Sequence, residues 1–292
     1  MEKSKYEKKR KRKKVAGIVA ASSSAGLAAL IIVAFLGRHV GSFTVNLNQE
    51  NIKLSLSRKL TSEEKSTFLY VEKLPSFQQY TYGSLPKDDV LDDEQYDYYD
   101  APSAIVYDRD DTSKMVSMRY FKYTFYVSNS SDKPAGFDID FNVLSDNRST
   151  DGTNRSLLDT LHVTIYENAV LTDGTVTHNK KCYAKAPDVP RADENGQLVD
   201  KEYLSMSPDD AKKSNKEFLG FAEPFLTDPL KGDVTKLASS NVEYLEAGAY
   251  IRYSFICYLE GYDPSEQGRD VPEGASVKLG IKVNGYESKK IK

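Results

Sequence analysis

The chain has 292 residues, 39% hydrophobic and 28% charged, enough for one large domain or two small ones. Its formal net charge of −3 averages two unlike parts: residues 1–14 hold nine Lys and Arg against Glu2 and Glu7, leaving 31 of the 40 basic and 41 of the 43 acidic residues after position 14. The basic charge is therefore confined to a tail on an otherwise acidic chain, which reads as a nucleic-acid arm, a nuclear localisation signal or the topogenic flank of a membrane helix; the apolar segment that follows selects the flank, so nucleic acid is not an expected partner.

The neighbouring segment decides how the tail is read. Val15 to Gly37 (VAGIVAASSSAGLAALIIVAFLG) runs 23 residues without a charge. As a helix rising ~1.5 Å per residue it would span roughly 34 Å, enough for a hydrocarbon core of about 30 Å. Ser22, Ser23 and Ser24 interrupt it, but their hydroxyls can bond back to helix carbonyls. A soluble amphipathic helix would instead need polar positions at helical spacing. A cleaved signal would have a shorter apolar core and a small-x-small site; the only tolerable one is Val40-Gly41-Ser42 before Phe43, beyond Arg38 and His39. The expectation is a retained signal anchor in the lipid bilayer over residues 15–37. Positive-inside topology then puts residues 1–14 in the cytoplasm and residues 38–292 outside the cell membrane.

Beyond the anchor the dominant period is two. Strands are expected at Phe43–Leu47, Ile52–Leu56 and Phe68–Val71. Met118 to Val127 (MRYFKYTFYV) places Arg119, Phe121, Tyr123, Phe125 and Val127 on the more apolar face, which should turn inward. Phe137–Val143, Leu161–Tyr166 and Lys181–Lys185 come next. In Ala249 to Leu259 the residues Ile251, Tyr253, Phe255, Cys257 and Leu259 share the core face, and Val277–Val283 closes the set. Turn signals such as Asp132-Lys133-Pro134, Asp151-Gly152, Asp173-Gly174 and Asn195-Gly196 separate several of them. The pattern predicts an all-β ectodomain, an antiparallel β-sandwich of seven to nine strands, Ig-like or jelly-roll. Two helical pieces interrupt it: a capped turn at Thr61–Lys65, and a short helix running toward Phe218 with Ser207 as N-cap and Pro208 at its first position. Pro75 to Pro102 and Pro187 to Glu202 read as long surface loops.

The most charged feature is the acidic, tyrosine-rich stretch from Asp88 to Asp100, with Asp108, Asp110 and Asp111 soon after. Oxygen ligands crowded on a loop suit calcium, but the stretch lacks the turn glycine and terminal glutamate of a calcium-loop template. A solvated acidic loop is the competing reading. Asp146-Asn147 through Asp151-Gly152-Thr153-Asn154 is a second oxygen cluster, with the residue types of a turn. Cys182 and Cys257 have no zinc spacing; a disulfide between them and two buried thiols both remain open. His39, His162 and His178 form no H-E-x-x-H pattern, His162 reading as a structural or surface histidine, and no G-x-S-x-G, P-loop or G-x-G-x-x-G occurs. Asn-x-Ser sequons stand at Asn129, Asn147 and Asn154.

In layout the chain resembles cell-surface proteins of Gram-positive bacteria and their wall-less relatives, broadly the biofilm-fibre and camelysin type of β-sandwich. The resemblance rests on the basic start, the apolar segment and Gly41-Ser42-Phe43-Thr44-Val45-Asn46-Leu47. It continues in Tyr120 to Val127 ending in Ser128-Asn129, and in Arg252-Tyr253-Ser254-Phe255 with Tyr258-Leu259-Glu260-Gly261-Tyr262-Asp263-Pro264. It implies an anchored or secreted surface β-sandwich; the family's clear cleavage site is missing, and no metal-ligand motif carries over the metalloprotease activity linked to camelysin-like proteins. The expected function is non-enzymatic binding of a protein or matrix partner at the cell surface. A hydrolase using acidic loop residues, and a fibre-forming matrix protein if the N-terminal segment is cleaved, are the alternatives.

Overall fold

The computed structural model describes residues 34–37, 41–49, 52–60, 65–74, 77–93, 104–107, 109–111, 114–228, 233–261, 271 and 273–288, all within the compact unit spanning Ile32–Lys292. The basic tail, residues 15–33 of the expected anchor and residues 61–64 of the expected capped turn lie outside them. Among the described residues no helix is long and apolar enough to cross a membrane. Ala34–Gly37, expected as the end of the anchor, are a strand antiparallel to Ser276–Leu279. A four-residue apolar run has no periodicity that separates strand from helix.

The protein is mostly β, with its sheets in a sandwich-like arrangement. The two large sheets have seven described strands each, and ten of these strands build their main paths: β1 (Gly41–Gln49), β2 (Leu54–Ser57), β3 (Phe68–Leu74), β4 (Tyr120–Asn129), β5 (Ala135–Asn147), β6 (Leu161–Val170), β7 (Val176–Ala184), β8 (Val234–Leu245), β9 (Tyr250–Glu260) and β10 (Ser276–Glu287). One sheet is ordered β8-β5-β10-β1-β3 and the other β7-β6-β9-β4-β2; the strand at Ala34–Gly37 and the two-residue strands Gln79–Tyr80, Glu223–Pro224 and Leu226–Thr227 complete them. Neighbours within both orders are antiparallel except β10 and β1, which run parallel. Each of the nine expected strands is present. Of these ten, the strand the alternation misses is β8, whose register against β5 shifts between Lys236 and Ala238 and again between Val242 and Leu245. Each bulge moves the subsequent side chains to the other face, so no single period of two survives in the sequence.

The core between the sheets is aromatic where strands β5, β4 and β9 meet. Phe141 stacks on Phe255 at 5.7 Å with rings 7° apart. Phe125 stacks on Tyr253 at 5.3 Å, and Phe137 meets Tyr253 edge-on. Phe121, Tyr123, Phe125 and Val127 are all buried, on the face expected to turn inward. The opposite face of β4 is buried too: Tyr120, Lys122, Thr124 and Tyr126 are as inaccessible as their neighbours, and so are Ser254, Ile256, Tyr258 and Glu260 on β9. Both faces of these strands are thus buried, the second because insertions cover it.

Those insertions contain short elements of their own. The stretch read as a loop from Pro75 holds a strand at Gln79–Tyr80, parallel to β9, and a helical turn α1 (Asp88–Leu91). Residues 94–103 lie outside the described part. The loop from Pro187 holds a hairpin pairing Arg191–Ala192 with Leu198–Val199 around Gly196, whose φ of 78° suits glycine. Helix α2 (Pro208–Lys213) starts at its expected cap, where Ser207 Oγ accepts the N–H of Asp210 at 3.2 Å. It stops short of Phe218 because Asn215 takes a left-handed φ of 53°.

Asn129, at the end of β4, is 1% exposed. Its Nδ2 donates to the carbonyls of Lys133 at 2.8 Å and Leu245 at 3.0 Å, and its Oδ1 accepts the N–H of Ser131 at 3.0 Å. The amide thus pins the β4–β5 turn to β8 and is closed to glycosylation in the folded chain, whereas Asn147 and Asn154 are exposed. Replacing Asn129 by Ala should cost about 2–3 kcal/mol, since buried carbonyls lose their donor. Urea unfolding of wild type and variant measures it; a loss under about 0.5 kcal/mol, by the same bookkeeping, would mean the turn is held otherwise.

Candidate functional site

Side chains pointing away from the core on β4, β9, β6 and β7 line up in rows fixed by strand register. Tyr126, Arg252, Asn168 and His178 make one row; Thr124, Ser254, Tyr166 and Lys180 the next; Lys122, Ile256, Thr164 and Cys182 a third; Tyr120, Tyr258, His162 and Ala184 the last. Many of these groups are polar, so an apolar cover would strand them at a cost of several kcal/mol. The insertion over residues 77–93 instead brings carboxylates.

Asp88 Oδ1 lies 2.6 Å from Lys180 Nζ and accepts the Tyr166 hydroxyl at 2.7 Å. Asp92 takes both oxygens to Asn168 Nδ2, at 2.7 and 2.8 Å, while its Oδ1 lies 3.1 Å from Arg252 Nη2 and 3.3 Å from Ser254 Oγ. Lys122 donates to the carbonyl of Asp93. At the other end the N–H of Tyr82 donates to Glu260 Oε2 at 2.8 Å, and the Tyr82 ring packs on Tyr258. A cleft of about 460 Å³ opens where this cover meets the sheet edge, lined by Asp88, Asp89, Asp92, Tyr166, Asn168, His178, Asn179, Lys180 and Arg252.

The electrostatics reflect this pairing. Burial pushes the Asp88 carboxyl up, but the hydrogen bonds from Lys180 and Tyr166 outweigh it and hold the group below its ordinary value. Burial likewise pulls Lys180 down, while its bonds to Asp88 and Tyr82 leave it above its ordinary value. Each partner is driven further into its charged form. Lys122 differs: burial lowers it to about 8, against the attraction of Asp93 and Asp92.

The sequence-derived candidates fall in separate places. Asp110 and Asp111 are exposed in a bend, and Asp108 lies outside the described residues. Among the described residues no three His, Cys, Asp or Glu side chains gather as a metal site. Asp151 accepts the backbone N–H of Thr153 at 2.9 Å beside Gly152, so the second oxygen cluster is built as a turn. Cys182 and Cys257 are free thiols. Cys257 faces the core and Cys182 the opposite side of the sheet, with β6 between their strands, so their Cα atoms are roughly 9–10 Å apart, beyond disulfide reach. Sequence reasoning missed Lys122, Lys180, Arg252 and Asn168 as one constellation. The available signal was a cation inside two apolar strands, Tyr-Phe-Lys122-Tyr and Tyr-Ile-Arg252-Tyr, which needs a buried acid from elsewhere.

No protein-family profile matches the chain, and no curated protein is significantly similar to it.

The two latch carboxylates should differ in weight. Asp92 is 17% exposed and serves three side chains, so Asp92→Ala should cost about 2–4 kcal/mol. Asp88 is 61% exposed, and Asp88→Ala should cost under about 1 kcal/mol. Denaturant midpoints at constant ionic strength check the order; equal effects would remove Asp92 from the centre of the latch.

Proposed function

We propose that the chain is a membrane-anchored extracytoplasmic protein that binds a protein or matrix partner at the cell surface and performs no chemistry on it. In this reading the apolar residues 15–33, before the strand at Ala34–Gly37, hold it in the bilayer, and the sandwich, of Ig-like or jelly-roll kind, presents insertions and loops outward. The observation that carries the reading is how the cleft's charges are used. Hydrolysis by acidic residues needs a carboxylic acid kept protonated near neutral pH beside a second carboxylate. Asp88 is shifted the other way, and Asp92 is engaged by Asn168, Arg252 and Ser254. These acids are used to fasten an insertion to a sheet, which leaves the exposed surface for recognition.

Protease treatment of intact cells tests the placement. The region after residue 42 should be removed while the basic tail stays protected. Digestion of the tail with survival of the sandwich would invert the topology and end this reading. N-terminal sequencing of the mature chain gives the second readout: a start at Phe43 would replace the anchored protein by a secreted one.

A further inference from the structure

His162 sits on β6 in the last row of the covered face, 2% exposed, and neither ring nitrogen has a hydrogen-bond partner among the described residues. Its ring lies 5.7 Å from that of Tyr258 on one side, and Ala184 of β7 is its partner on the other. Two separate insertions cover this end. Tyr82, from residues 77–93, packs on Tyr258; Leu204 and Ala222, from the insertion between β7 and β8, pack with Ala184. The insertions are tied together by Thr81 Oγ1 and Ser205 Oγ at 3.0 Å. The strand that carries His162 is held by full ladders to β9 and β7, so lifting the cover breaks the two-residue pairings of Gln79–Tyr80 with β9 and Glu223–Pro224 with β7 but leaves those ladders intact.

We propose that these two insertions form an acid-released cover over the outer face of the β7-β6-β9-β4-β2 sheet, with His162 as the group that takes up the proton. The titratable groups on the surrounding elements are Tyr258 and Glu260 of β9, Tyr120 of β4, Lys180 and Cys182 of β7, Tyr82 of the first insertion and Glu202 of the second. Glu260 makes the device directional. It lies diagonally across from His162, roughly 7–8 Å between Cα atoms. With the cover down its Oε2 accepts the Tyr82 N–H. Lifting the cover breaks that bond, and the carboxylate then lies near an imidazolium in water. Glu202 is clamped by Arg191 at 2.7 Å and so offers His162 no counter-charge, while Lys180, paired with Asp88 at 2.6 Å, carries the same sign as an imidazolium.

Burial lowers the His162 imidazole to about 3, from an ordinary value of about 6.5. With the cover lifted, the ring faces water and binds a proton below about 6.5, which the covered ring refuses until about pH 3. Closure is therefore complete above about 6.5 and weakens as pH falls, with opening about tenfold easier per pH unit in that window. Asp88, held below its ordinary value by Lys180 and Tyr166 despite burial, keeps its pairing further into acid, so release begins at the His162 end.

Hydrogen exchange on the full chain in detergent micelles, corrected for the intrinsic rate, tests this from about pH 7 to about pH 4.5. Amides in 77–93 and 200–226 should lose protection about tenfold per unit below about pH 6.5, roughly 100-fold in all, while β5 and β10 keep theirs. His162→Phe, which keeps a ring beside Tyr258, should flatten the dependence, whereas Asp92→Ala should raise exchange at every pH without changing the slope. An unchanged slope in His162→Phe, a flat wild-type profile, or simultaneous loss over both sheets would overturn the proposal. Should His162→Phe not fold, NMR titration of His162 in wild type decides: protonation without any change at Tyr82 or Leu204 sinks it.

Discussion

The structure depends on one constraint: the central strands β6, β9 and β4 of the β7-β6-β9-β4-β2 sheet are buried on both faces, and only one face is apolar. The face toward β5 is closed by Phe, Tyr, Ile and Val packing, which needs volume but no directional bonds. The other carries Lys122, Thr124, Arg252, Ser254, His162, Thr164, Tyr166 and Asn168, and every one must find a partner or bear a desolvation cost. The segment over residues 77–93 is acidic for that reason. Asp88 and Asp92 are electrostatic complements to cations embedded in the sheet.

This gives the acidic stretch two characters. Its first part is structural, with carboxylates fixed by hydrogen bonds at 2.6–2.8 Å. Further on, Asp110 and Asp111 are exposed. An acidic loop that looks uniform in composition is thus divided between latch and surface, and the sheet beneath decides where the division falls. The latch also leaves a cleft at its margin, where His178 and Asn179 meet Asp88 and Lys180. Its Asp88 and Asp92 are already paired with Lys180 and Arg252, so a ligand entering there would have to compete with the protein's own side chains.

The opposing sheet behaves differently. Asp138, Asp140 and Asn142 of β5 alternate with buried Phe137, Ile139 and Phe141. Lys236 and Ser239 reach Asp140 at 2.7 and 2.9 Å, and Asn241 reaches Asp138 at 2.6 Å. These are lateral bonds along a solvated surface, where water can replace any of them. Two sheets of similar size therefore differ in what their polar residues do, because among the described residues insertions cover the one and leave Asp138 and Asp140 of the other partly exposed.

The order of amino acids is enough to set the local elements and their class. Period two marks β9 and β4 because alternating side chains sort by face, and the Ser207-Pro208 cap marks α2 because capping is satisfied within a few residues. The strand β8 escaped because two bulges scramble its alternation, and a bulge is defined only by its partner. The covered face, the pairing of Asp92 with Arg252 and Asn168, and the separation of Cys182 from Cys257 arise only when the sheets assemble. Each joins residues from 75 to 160 positions apart in the chain. No local rule acts at that range: a charge in a strand states that it needs a partner, and only the assembled sheets determine which carboxylate comes within about 3 Å of it.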